Sequence, residues 1–326
     1  MTPRYFLPII AVVIMLISGC TNTQQDTLLD KTMQYGRAAL GFSVAEQNVG
    51  DMSLNYMERP GTGPVVLLIH GFSANKETWL KLAAELPDDY YLIAPDLAGH
   101  GDSPAPDNGD YNLIIQTDRL QHLMAAKGFA NIHLIGNSMG GAIATIYAAR
   151  YPDEVASLTL IDAAGVDSPH PSPFMQALSS GKNPLIATDE ESFEYRWDMI
   201  MEQPPFVPWP IRPAMIRKTI NRAEINRIIF DDMLATRDQL QQQDFEAMVE
   251  ENIHMPVLII WGAQDRVLDV SSVDVFASMM PQAETHIMPG TGHVPQIEEA
   301  DKTAEITAAF IASVQPTVLA QHNTPK

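Results

Sequence analysis

The sequence predicts an α/β fold, a mostly parallel sheet with helices on both faces and a helical insertion. Three observations predict it. From residue 65 onward, short, largely apolar runs (65–69, 91–94, 132–135, 158–161) alternate with helical stretches. Strands buried on both faces need continuous apolar side chains, and alternation with helices implies parallel pairing through crossovers. The rhythm then stops after residue 161 and returns at residue 257, with Pro, Met and aromatic residues concentrated in between. Finally, Gly136-Asn137-Ser138-Met139-Gly140-Gly141 separates the apolar run 132–135 from an Ala-rich stretch at 142–150. This is the strand, sharp turn, helix context of a G-x-S-x-G nucleophile elbow.

Taken in order, residues 1–19 read as a leader, and 21–26 as a short polar tether. Residues 28–40 have helical spacing. Two strands are expected near 42–49 and 52–57, followed by the turn Pro60-Gly61-Thr62-Gly63-Pro64. The α/β core is assigned to 42–164 and 251–314, after a tether and N-terminal helix at 20–41. Residues 165–250 form a mostly helical cap inserted after the sixth strand. Strands return at 257–262 and 283–288, and 315–326 reads as a frayed tail. A chain of 326 residues has ample material for one large core.

The elbow supplies a nucleophile, because a tight turn flanked by glycines lifts the Ser138 hydroxyl out of the sheet edge. A serine hydroxyl needs a base, and the base needs an orienting acid. On this fold they follow in the order Ser, Asp or Glu, His. Asp265 follows the strand 257–262, and His293 follows Gly290-Thr291-Gly292 after the last strand. Asp162, at the end of 158–161, is a rival acid, and Asp269 a weaker one. An oxyanion hole needs two preorganised N–H donors. They are expected from Met139, next to the nucleophile, and from Phe72 in the His70-Gly71-Phe72 loop. The side chains of Phe72 and Met139 would then line an acyl pocket. His70 reads as structural, and residues 96–103 as an ordered turn near the site in which His100 is not the base. The eight histidines other than His293 show no metal-ligand spacing, and nucleophilic catalysis by such a triad requires no metal or organic cofactor.

Together these motifs resemble the α/β-hydrolase superfamily over residues 42–314. Within it they are most similar to the monoacylglycerol lipase-like group with the bacterial family V lipases. The residues behind that likeness are the elbow, Asn183-Pro184-Leu185-Ile186, the run 259–270 and Gly292-His293-Val294-Pro295-Gln296-Ile297-Glu298-Glu299. The resemblance implies a mostly parallel eight-stranded sheet with a cap. It also implies the triad Ser138, Asp265, His293 and hydrolysis of aliphatic acyl esters or monoacylglycerols through an acyl-enzyme. Asn137 departs from the group, where many lipases have His. The same elbow string is common in C–C bond hydrolases of ring-fission products, which carry Trp after the catalytic His. Val294 occupies that place here and favours ester hydrolysis, leaving a C–C hydrolase as the second reading. A non-catalytic binding protein on this scaffold is the third. Dehalogenases and epoxide hydrolases of this fold use an Asp nucleophile, which Ser138 argues against.

The N-terminus has the form of a signal peptide: Arg4, an apolar stretch at 5–17, then Leu16-Ile17-Ser18-Gly19-Cys20. The apolar stretch is shorter than the roughly 20 residues a spanning helix needs. Its end resembles the lipobox of bacterial lipoproteins, which implies cleavage before Cys20 and lipidation of that cysteine. The resemblance places the protein in the cell envelope, and Thr21 in the following position points to the outer membrane. Cys20 is the only cysteine, so no disulfide can form within the chain. With 20 basic and 40 acidic residues the net charge is −20. That charge disfavours nucleic acid and anionic lipid surfaces alike, so attachment to a membrane would rest on the acyl chains of Cys20.

Overall fold

The structure, a computed structural model, describes residues 20–314. The expected leader (1–19) and tail (315–326) lie outside the described residues. Eight strands form one sheet: β1 (Ser43–Asn48), β2 (Ser53–Arg59), β3 (Val65–Ile69), β4 (Tyr91–Pro95), β5 (Ile132–Asn137), β6 (Val155–Ile161), β7 (Val257–Gly262) and β8 (Glu284–Met288). Their spatial order is β1-β2-β4-β3-β5-β6-β7-β8. β2 runs antiparallel to β1 and β4, and every other pairing is parallel. The carboxyl ends of β3, β5, β6, β7 and β8 therefore share one edge, where ligands bind in open α/β sheets.

Side chains alternate across each strand, and this divides the interior. Leu67, Ile69, Leu134, Leu158 and Leu160 face one layer, which includes α3 (Leu113–Ala126) and α4 (Met139–Arg150) through Leu120, Leu123, Ile143 and Tyr147. Val66, Leu68, Ile135, Ile161 and Ile260 face the other, which includes α2 (Leu80–Glu85) and α12 (Ala300–Ser313) through Leu82, Phe310 and Ile311. β5 and β6 are buried along their whole length, which is why they read as largely apolar runs, broken only by buried polar residues such as His133, Ser157 and Thr159. β1 is an exposed, largely polar edge.

Five helices separate β6 from β7: α5 (Pro173–Ser179), α6 (Glu190–Ile200), α7 (Ile211–Ile220), α8 (Ala223–Gln242) and α9 (Phe245–Asn252). The expected cap boundary at 250 falls inside α9. Phe245 and Val249 of α9 join the main core cluster beside α4, so this helix faces the core. By contrast, Phe193 and Trp197 of α6 pack with Ile216 of α7 in a separate cluster that also takes in Val294.

Two local readings are corrected. The expected tether at 21–26 is instead the start of α1 (Asn22–Ala39). Thr21 and Gln24 form a capping box that starts the helix before its apolar pattern begins. Gln25 and Leu29 of α1 are buried. Arg217 of α7 donates to Gln25 Oε1 at 2.7 Å and pairs with Asp26, while Lys218 pairs with Asp30. Likewise Gly140 and Gly141, read as turn, lie in the first turn of α4. Among the described residues no helix is long and apolar enough to cross a membrane.

Candidate active site

Ser138 stands between β5 and α4 at φ 56°, ψ −122°. A non-glycine residue rarely adopts this strained backbone unless its surroundings enforce it. Here the Ser138 N–H donates to Ile161 of β6 at 3.1 Å, and its carbonyl accepts from Gly141, Ala142 and Ala164. The turn leaves no room beside the serine. A Cβ on Gly136 would lie 2.2 Å from the Gly140 oxygen, and one on Gly140 2.1 Å from the Ile69 oxygen. Between Ile132 and Ala149, Ser138 alone is not buried, so the elbow presents its hydroxyl to the sheet edge.

His293 lies on the loop after β8 and Asp265 on the loop after β7. Their Nδ1 and Oδ2 atoms are 2.7 Å apart, with both side chains buried. Asp265 Oδ1 accepts from the N–H groups of Val267 (2.7 Å) and Leu268 (3.1 Å). A carboxylate held this way accepts the Nδ1–H of the imidazole and leaves Nε2 free as a base. The His293 loop is tied on two sides. Asn137 Nδ2 donates to the carbonyls of Ile161 and His293, each at 3.1 Å. The His293 N–H donates to Ile200 at the end of α6, 2.8 Å away. Asn137, noted in the sequence only as a departure from the lipase pattern, thus binds the base's loop to the nucleophile's own strand.

The rival acids have other partners. Asp269 Oδ1 accepts from the Ser271 N–H at 3.0 Å and closes a local turn. Asp162 is fully buried at φ 43°, and its Oδ1 accepts from the Gly262 N–H at 2.9 Å. Asp162, Asp265 and His293 each offer a ligand atom within 4.8 Å of the others. Both Asp265 oxygens and His293 Nδ1 are already engaged, which leaves Asp162 Oδ2 as the one acidic oxygen without a partner.

Gly71 passes directly over the nucleophile, since a Cβ there would lie 3.0 Å from Ser138 Cβ. Phe72, the next residue, and Met139, the residue after Ser138, are the two expected oxyanion donors. Both side chains are buried in the apolar cluster that contains Phe174, Met199 and Phe230 of the inserted helices. The Phe72 ring meets Phe230 edge-on at 5.5 Å.

Two buried histidines hold this loop. His70 Nδ1 donates to the Gly71 carbonyl (2.8 Å), and its Nε2 accepts from the Leu97 N–H (3.1 Å). His100 Nδ1 lies 3.2 Å from the Ala98 carbonyl, and its Nε2 accepts from the Ser73 N–H (3.3 Å). Each ring therefore carries its proton on Nδ1 and is neutral, and burial holds both pKa values below the usual imidazole range. Sequence reasoning missed the partner on the other side: Asn226 of α8 donates to Ser73 Oγ at 2.9 Å, and Arg222 reaches the Gly99 carbonyl. These contacts join residues more than 120 positions apart, and no local signal marks them. Beside the site, a cavity of about 490 Å³ is lined by Tyr195, Met199, Met201 and Pro204 with Arg266, the neighbour of Asp265.

A strained serine elbow and an Asp-oriented histidine at the carboxyl edge of a mostly parallel sheet define a serine hydrolase type of site. The chain belongs to the α/β-hydrolase family, whose "alpha/beta hydrolase fold" model matches residues 64–300. It is 34% identical over 298 residues to Lipase 3 of Moraxella sp. (strain TA144), covering 90% of this chain and 93% of that lipase. It is 31% identical to the mouse (Mus musculus) monoacylglycerol lipase ABHD6, covering 87% of this chain and 86% of that protein. Among solved structures, a bacterial membrane phospholipase A described as a virulence factor is similar at TM-score 0.84. That match is 35% identical and covers 95% of this chain and 99% of the other.

Proposed function

We propose that the chain is a serine carboxylester hydrolase of the lipase and esterase kind, acting on aliphatic acyl esters and monoacylglycerols. The observation that carries this reading is the 2.7 Å His293–Asp265 hydrogen bond, on a loop that Asn137 ties to the nucleophile's strand. The lipase and monoacylglycerol lipase relatives support the same class of substrate. Ser138 Oγ attacks the ester carbonyl while His293 Nε2 takes its proton. The Phe72 and Met139 amides stabilise the tetrahedral oxyanion, and Asp265 stabilises the imidazolium. His293 then protonates the leaving alkoxide. Water repeats the cycle on the acyl-enzyme, releasing the fatty acid. Phe72, Phe174, Met199 and Phe230 would receive the acyl chain, since ligand pockets are mainly apolar.

Hydrolysis of p-nitrophenyl esters from acetate to palmitate, with a monoacylglycerol and triolein alongside, tests the substrate class. Medium-chain esters and the monoacylglycerol are expected to outrun triolein. A faster rate on vinylogous diketones from ring cleavage than on any ester would favour the C–C hydrolase reading.

The same reading places the enzyme in the bacterial envelope, anchored through a lipidated Cys20 and directed to the outer membrane. Cys20 immediately precedes the Thr21 cap of α1, so cleavage before it would leave that helix intact. One acyl chain binds a bilayer marginally, and two or more bind stably. In the full-length protein, Cys20→Ser is expected to block lipidation and detergent partition while purified protein still hydrolyses soluble esters. Unchanged membrane partition with a mature-sized product would put the anchor elsewhere, with α1 the first candidate.

A further inference from the structure

Asp162 entered the sequence analysis as a rival for the triad acid. Its side chain does not bond to His293, yet it is 0% exposed and packed beside the pair that does. Its Oδ1 takes the Gly262 N–H, and its Oδ2 is buried with no donor in reach. A buried carboxylate oxygen without a donor is costly. Asp162 and Asp265 also lie side by side, each offering a carboxylate oxygen within 4.8 Å of the other. Two ionised carboxylates in that position would repel in a medium that screens them poorly.

A single proton removes both problems. It cancels one charge and turns an acceptor facing an acceptor into a donor facing an acceptor. The bonding already present decides which carboxyl carries it. Asp265 accepts from Val267, Leu268 and His293, three donors that favour the ionised form. Asp162 accepts from one. We propose that Asp162 is a positioning residue that is protonated at neutral pH and donates a hydrogen bond to Asp265, so that the pair presents one negative charge to His293.

The surrounding charges agree with that assignment. Facing Asp162 are Asp265 from the loop after β7, His293 from the loop after β8, and Glu298 of α11 (Pro295–Glu298). Both acids disfavour a further negative charge. Burial first, and then the charge of Asp265, push the Asp162 carboxyl well above the usual carboxylate range, against the opposing Gly262 N–H. Two carboxyls that share one proton are a known route to separating the roles of like groups. The consequence for the reaction is indirect. The donated hydrogen bond fixes the Asp265 carboxylate against rotation and tempers its charge, which sets how readily His293 holds the proton it takes from Ser138.

This inference rests on Ser138, His293 and Asp265 acting as a triad, and its test separates the two. In Asp162→Asn the amide nitrogen can still donate to Asp265, while its oxygen accepts from Gly262. This variant is expected to keep near wild-type kcat and an unmoved acid limb of kcat/KM. In Asp162→Ala, Asp265 loses a donor and its full charge favours the imidazolium. There kcat is expected to fall by roughly 10²-fold, as for a misplaced reacting group, with KM little changed and the acid limb moved to higher pH. A role in packing alone would leave the limb where it is. Infrared spectroscopy reads the proton directly: wild type should show the carbonyl band of a buried protonated carboxyl at neutral pH, and Asp162→Asn should lack it. The proposal is overturned if that band is absent from wild type, or if Asp162→Asn is as impaired as Asp162→Ala. Loss of wild-type activity to a chelator, restored by a divalent cation, would also overturn it by assigning the cluster to a metal. If instead the triad reading were wrong, Ser138→Ala would keep its activity while the infrared band remained.

Discussion

Ser138→Ala is expected to lower kcat for ester hydrolysis by about 10⁴–10⁶-fold, the range seen when a triad nucleophile is removed. The melting temperature should hardly change. The hydrogen bonds that shape the elbow come from the Ser138 backbone, to Ile161 and from Gly141, Ala142 and Ala164, and alanine keeps them. Steady-state kinetics on a p-nitrophenyl ester together with a thermal melt checks both halves. Residual hydrolysis should reflect the oxyanion amides and substrate binding alone, which leave a small rate above water. Substantial turnover by the variant would mean that another group attacks the ester.

The second large effect is at the acid. Asp265→Asn is expected to cost about 10⁴-fold in kcat, because an amide can hold the imidazole in the wrong tautomer. With Nδ1 no longer obliged to donate, the ring can place its proton on Nε2, where it blocks attack by Ser138. The loop itself should survive, since the Asn oxygen can still accept from the Val267 and Leu268 N–H groups. Asp162→Asn should stay close to wild type in the same assay. A dead Asp162→Asn beside a nearly normal Asp265→Asn would place the acid on the other strand.

That contrast also marks where the sequence stops being informative. The strands were legible because both faces of β5 and β6 are buried, which favours largely apolar runs such as Ile132 to Ile135, where only His133 is polar. The elbow was legible because its glycines answer a local constraint, the close approach of Gly136 to Gly140 across the turn. The choice between Asp162 and Asp265 was not, since both follow strands that end at the same sheet edge. Only the loop path, or resemblance to a family, selects the one that meets His293. Nor was the start of α1 legible from its apolar spacing, because the capping box at Thr21 and Gln24 acts through hydrogen bonds rather than burial. The contacts of Asn137 with His293 and of Asn226 with Ser73 span 156 and 153 positions. They exist only once the sheet order and the packing of α8 are set.

The central claim is that Ser138 is the nucleophile of an ester hydrolase. It is tested most directly by reacting the protein with a serine-directed phosphonate and mapping the adduct by peptide mass spectrometry. One adduct per chain, on Ser138, with ester hydrolysis falling in proportion to labelling, is the predicted result. An adduct on a different serine that abolishes activity, or full ester turnover by protein fully labelled at Ser138, would contradict it.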